Sequence, residues 1–93
     1  MRCRSRKLKL ALEVTRGDLK ELWERQGGRC TLTGWSLSQA VNDLRRGSID
    51  RIDSSKGYIK GNIQFVAWIV NAAKGKFSQS DFVEMCGAVG NFQ

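Results

Sequence analysis

The chain has 93 residues, enough for one small domain and too few for two. Hydrophobic residues make up 41% and charged residues 27%, which excludes wholesale disorder, and no apolar run approaches the ~20 residues of a membrane span. There is no histidine, so a Ser-His-Asp triad, a Cys-His dyad and a histidine-ligated metal centre are excluded.

Net charge is +7, from 16 Lys and Arg against 9 Asp and Glu, and it is unevenly placed. Residues 1–9 hold Arg2, Arg4, Arg6, Lys7 and Lys9 with no acid. A second acid-free stretch, residues 54–80, holds Lys56, Lys60, Lys74 and Lys76. A basic arm and a basic patch are the electrostatic footprint of a nucleic-acid binder. The plainer alternative is a solvated tail and a solubilising surface.

The opening MRCRSRKLKLALEV has neither the apolar stretch nor the cleavage site of a signal peptide. The three cysteines (Cys3, Cys30, Cys86) are an odd number with no CxxC pair, so neither a disulfide framework nor a zinc knuckle follows. A reducing cytoplasm is expected, with Cys30 and Cys86 buried as small apolar residues.

In chain order, residues 1–14 form a basic arm and residues 15–93 one domain. Thr15 and Asp18 have the spacing of a capping box and predict a first helix, about Asp18 to Gln26. Leu19, Leu22 and Trp23 give it one buried face, and Gly27-Gly28 stops it. Residues 29–37 (RCTLTGWSL) read as a short strand, a turn at Gly34 and a return. Residues 38–47 are loop-like. Ser48 to Asp53 alternates as a second strand, ending in the turn residues Ser54-Ser55-Lys56-Gly57. The apolar run after Asn62 predicts a buried helix from Ile63 to Ala73, ended by Gly75. Ser78 or Ser80 then caps a last helix with Phe82, Met85, Cys86 and Val89 on one face. The class is α+β.

The residues with chemical potential are Asp50, Asn62 and Asn71. A strand carboxylate and a helix amide converging across a ββα unit make an all-oxygen half-site suited to Mg²⁺, which completes its shell with water and substrate phosphate. Asn62 is placed to tie the long loop back to the strand. Taken singly, each Asn also fits turn or capping chemistry, and Asp50 a surface acid.

Taken together, CTLTG, SIDRIDSSKGY, GNIQF and VNAAKG resemble the HNH (His-Me finger, ββα-metal) nuclease family, in the form common among phage and mobile-element enzymes. That family's pattern is a Cys-x-x-Cys-Gly opening, an Asp-His on the second strand, an Asn-x-Gln before the helix, and a Cys-Asn followed by Lys-Gly. The likeness runs from about Leu19 to Cys86. It implies a small ββα-metal domain with flanking helices, Asp50 and Asn71 as ligands of Mg²⁺ or Mn²⁺, and Asn62 as the residue bracing the loop.

Two departures stand out. The four cysteines of zinc-bearing members fall on Cys30, Thr33, Ala67 and Val70, so no structural zinc is expected. Packing with Trp35, Phe65 and Trp68 is expected to replace the clip. Arg51 stands where the family has its histidine general base. A guanidinium has no acceptor, but it holds a phosphate oxygen and neutralises developing charge. Another group must then activate water: Asp53, less favourably Tyr58, or a metal-bound hydroxide.

The resemblance implies a metal-dependent DNA endonuclease, with catalytic Asp50, Arg51, Asp53, Asn62 and Asn71. Lys56, Lys60, Lys74, Lys76 and the arm would contact phosphates of duplex or branched DNA. A catalytically inactive HNH-fold DNA- or RNA-binding module is the alternative. A bacterial host cytoplasm is implied for a phage-encoded protein, with no membrane partner; oligomeric state is not readable.

Overall fold

The computed structural model describes residues 13–93, so the arm cations Arg2, Arg4, Arg6, Lys7 and Lys9 lie outside the described residues. The described elements are α1 (Arg16–Gln26), β1 (Gly47–Arg51), β2 (Ile63–Ala67), α2 (Trp68–Lys74) and α3 (Gln79–Phe92), an α+β arrangement. No described helix is long and apolar enough to cross a membrane.

Helix α1 begins where its local chemistry says it should. The Thr15 hydroxyl accepts from the Asp18 amide at 3.1 Å, and the Asp18 carboxylate accepts from the Thr15 amide at 3.1 Å. These reciprocal bonds satisfy two donors that a helix start otherwise leaves open. Gly27, at φ 65°, closes the other end in the left-handed conformation that favours glycine. Leu19, Leu22 and Trp23 share a face but are only partly buried.

The segment 29–37 folds back as expected, though through a single bridge between Arg29 and Ser36 rather than two strands. The Cys30 amide donates to the Trp35 carbonyl at 2.9 Å, and the Gly34 amide returns to the Cys30 carbonyl at 2.9 Å. The expected strand at 48–53 is observed as Gly47–Arg51.

The buried helix expected over 63–73 is instead a strand followed by a helix. Residues 63–67 (IQFVA) form β2, paired antiparallel with β1 so that Asp50 faces Gln64 and Gly47 faces Ala67. Four of its five residues are buried, so the strand has no polar face and no alternation to reveal it. Its outer edge is held by Gln26, a residue of α1. The Phe65 amide donates to Gln26 Oε1 at 2.9 Å, and Gln26 Nε2 donates to the Phe65 carbonyl at 3.0 Å. A side-chain amide thus supplies the pairing that a third strand would supply.

The core gathers Cys30, Leu37, Val66, Ala67, Val70 and Phe82, with Trp23, Leu32, Trp35 and Phe65 packed against it. Trp23 meets Phe65 edge-on, with centroids 5.1 Å apart. Trp68 does not join this packing; it is 38% exposed, with the Arg46 guanidinium 4.5 Å from its ring centroid. Helix α3 is capped by Ser78, whose hydroxyl accepts from the Asp81 amide at 3.1 Å. Its expected apolar face is mostly uncovered. Phe82 is buried, but Met85, Cys86 and Val89 are exposed, because no described element lies over them.

Candidate functional site

The order strand, strand, helix that begins at Gly47 carries Asp50 on β1 and Asn71 on α2, with Asn62 on the connection between the strands. Asp50 sits near the end of β1 and is 4% exposed. Buried carboxylates need a partner, and here the partner is Lys74, 1% exposed, on α2. Lys74 Nζ lies 3.0 Å from Asp50 Oδ1, 3.0 Å from Oδ2 and 2.9 Å from the Arg51 carbonyl. An ammonium has three N–H donors, so its donor capacity matches these three acceptors in number.

Gln64, opposite Asp50 in the sheet, donates to Asp50 Oδ2 at 2.9 Å and to Gln79 Oε1 at 2.8 Å. The network therefore ties both strands to α2 and to the first residue of α3. Among the described residues, no buried side-chain nitrogen or oxygen lacks a partner.

Asn71 lies one turn before Lys74 on the same face of α2. Its Nδ2 donates to Ser48 Oγ at 2.6 Å and to the Ile49 carbonyl at 3.2 Å. Helix residues three apart rise about 4.5 Å, and strand residues two apart about 6.6 Å, so Asn71 and Lys74 reach successive same-face positions of β1. Together they pin the helix along the strand.

Asn62, 6% exposed, closes the connection between β1 and β2. Its Oδ1 accepts from the Asp53 amide at 2.9 Å, and its Nδ2 donates to the carbonyls of Asp53 (3.1 Å) and Gly57 (2.8 Å). Every bond goes to loop backbone. This is the bracing geometry that the sequence suggests for Asn62.

Arg51 is anchored rather than free. Its Nη1 donates to the carbonyls of Ser54 (3.0 Å) and Lys56 (3.2 Å), and its guanidinium carbon lies 5.3 Å from the Tyr58 ring centroid. Its other donors make no hydrogen bond among the described residues, so a held, directional cation is presented beside the loop. Asp53, the candidate base, accepts at Oδ1 from the Ser55 hydroxyl (2.6 Å) and the Ser55 amide (2.9 Å). Those two bonds, the hydroxyl first, hold its carboxyl below the ordinary value of 3.8. A more acidic carboxyl is a weaker proton acceptor, which counts against Asp53 in that role.

The expected phosphate contacts divide. Lys56 and Lys76 are exposed. Lys60 is exposed too, with Asp18 and Glu21 at 3.6 and 3.9 Å. Lys74 is not on the surface, because its ammonium is held between Asp50 and the Arg51 carbonyl. In the sequence Lys74 is one charge in an acid-free run, and its place three residues after Asn71 is the available signal. Gln64 is the Gln of the Asn-x-Gln pattern, to which no role is attached in the sequence, and Gln79 carries no local signal.

As arranged, Asp50 does not fit a divalent ion. Both its oxygens face an ammonium at 3.0 Å, and Oδ2 is also taken by Gln64. Among the described residues there is no group of three or more His, Cys, Asp or Glu placed to hold a metal ion.

Cys30, Ala67 and Val70 share the core, and the Thr33 amide lies 3.4 Å from Cys30 Sγ. Burial raises the Cys30 thiol pKa, but hydrogen bonds from Thr33, Ala67 and Leu32 outweigh it, leaving a net lowering. No family model, curated protein or solved structure matches this chain.

Proposed function

We propose that this chain is a nucleic-acid-binding domain on an HNH-like ββα unit, in a form whose candidate metal-binding carboxylate, Asp50, is closed. The observation that carries this reading is the contrast between Asp50 and Arg51, neighbours on one strand. Asp50 is buried and neutralised by Lys74; Arg51 keeps its charge, oriented by two loop carbonyls. A bare Asp50 would repel phosphate, and the internal ammonium removes that repulsion. Arg51, Lys56, Lys60 and Lys76 then act as phosphate contacts, which position nucleic acid without reading its sequence. The net charge of +7 is in keeping with this.

A second reading, the metal-dependent DNA endonuclease, draws on one observation. Asn71 and Asp50 stand on facing elements, α2 and β1, next to an anchored Arg51. Cleavage on that reading requires Lys74 to leave Asp50.

A gel-shift titration on duplex DNA, branched DNA and RNA, run beside a plasmid-nicking assay with Mg²⁺, Mn²⁺ and EDTA, tests both readings. The expected result is binding that EDTA does not alter, with no nicking in any metal. Metal-dependent nicking that Asp50→Ala abolishes would establish the nuclease. Failure to bind any of the three nucleic acids, with no nicking, would overturn both.

A further inference from the structure

We infer that Lys74 is the resident cation of the Asp50 site, taking by a fixed ammonium the place a divalent ion takes in the resembled family. The inference stands apart from nucleic-acid binding, since it concerns what neutralises one buried carboxylate.

Four observations carry it. The ammonium sits equally, at 3.0 Å, from both oxygens of Asp50, as a single cation shared by a carboxylate does. Its third proton is fixed by the Arg51 carbonyl at 2.9 Å, so the cation is located by three acceptors rather than by one salt bridge. Both side chains are almost wholly excluded from solvent, at 1% and 4% side-chain exposure. Finally, Lys74 and Asn71 reach β1 from adjacent turns of α2, Asn71 at Ser48 and Ile49 and Lys74 at Asp50 and Arg51, so the carboxylate meets the lysine rather than the amide.

A divalent ion entering here would meet an ammonium already on both oxygens of its principal ligand. In a site shielded from water, two cations so close repel strongly. Divalent binding and a retained Lys74 contact are therefore alternatives. The converse also follows: without the Lys74 charge, Asp50 becomes a buried, uncompensated carboxylate. Stability should then depend on a cation supplied from solution.

Thermal unfolding by circular dichroism, in EDTA and in excess Mn²⁺, tests this on the full chain, with electron paramagnetic resonance of Mn²⁺ as a direct measure of binding. The wild type is expected to unfold at the same Tm in both media and to bind no stoichiometric Mn²⁺. Lys74→Met is expected to unfold at lower Tm in EDTA, to regain part of the loss in Mn²⁺, and to bind about one Mn²⁺ per chain. The neutral pair Asp50→Asn with Lys74→Met is expected to lose the Mn²⁺ response.

Should Lys74→Met fail to fold in either medium, the double variant decides. A folded double variant locates the fault in the bare Asp50 charge and supports the inference; an unfolded one overturns it. A wild type that binds one Mn²⁺ with a raised Tm overturns it as well. So does a folded Lys74→Met that does not respond to Mn²⁺. A negative gel shift leaves the inference standing, so its failure and that of the binding reading are distinguishable.

Discussion

The indole of Trp23 covers Gly47 so closely that a Cβ there would stand 3.0 Å from Cζ3. Gly47 opens β1, and Trp23, on α1, packs its ring edge-on against Phe65 of β2. One aromatic ring thus seats the first helix on both strands, and the absent side chain at residue 47 makes room for it. Gly47→Val forces the ring outward and is expected to cost about 1–3 kcal/mol, the usual scale for overpacking. Urea unfolding measures it. A wild-type midpoint would show that Trp23 swings aside freely, and Trp23→Phe in the same background should recover part of the loss.

Asn62 makes three hydrogen bonds to the backbone of the loop between the strands. Asn62→Ala leaves the Asp53 amide and two carbonyls without that partner, at an expected cost of about 2–3 kcal/mol. Hydrogen exchange at the Asp53 amide should accelerate more than exchange in α1. Equal acceleration in both would mean that Asn62 supports the whole fold rather than this loop.

Arg51 presents one anchored cation. Arg51→Ala should weaken nucleic-acid binding and reduce the slope of log K against log salt by about one unit. An unchanged slope would remove Arg51 from the interface. Arg51→His supplies the base of the resembled family but leaves Asp50 closed by Lys74, so it should remain silent with every divalent metal. Nicking by that variant would show that Lys74 withdraws when metal is present.

The capping box gives stability a defined pH dependence. The Thr15 backbone amide, with the Thr15 hydroxyl and Lys60 beside it, outweighs slight burial and holds the Asp18 carboxyl below its ordinary 3.8. A carboxyl more acidic in the folded state contributes stability that is complete above its unfolded pKa and lost as pH falls through the folded one. Acid should therefore loosen α1 below 3.8, the ordinary value for this group. Asp18→Asn should lower stability near neutral pH and flatten the acid limb. An acid limb of unchanged steepness would assign it to Asp43 and Asp53, whose carboxyls are lowered in the same direction.

The features legible in the sequence are those whose partners lie a few residues apart. Thr15 with Asp18, the left-handed turn at Gly27 and the Ser78 cap each join neighbours along the chain, so spacing and residue type identify them. The Asn62 brace spans nine residues to Asp53, and its loop setting exposed it. Tertiary structure alone decided the rest. IQFVA is a strand because β1 pairs with one edge and Gln26, 39 residues away, meets Phe65 on the other, while burial on both faces erases the alternation that marks a strand. Met85 and Val89 have helical spacing whether or not anything covers them, and only the packing shows that nothing described does. Lys74 looked like one surface charge among several, and a salt bridge across 24 residues made it the most buried charge in the described structure. Composition records that a charge exists; its solvent and its counter-ion are set by where the chain folds it.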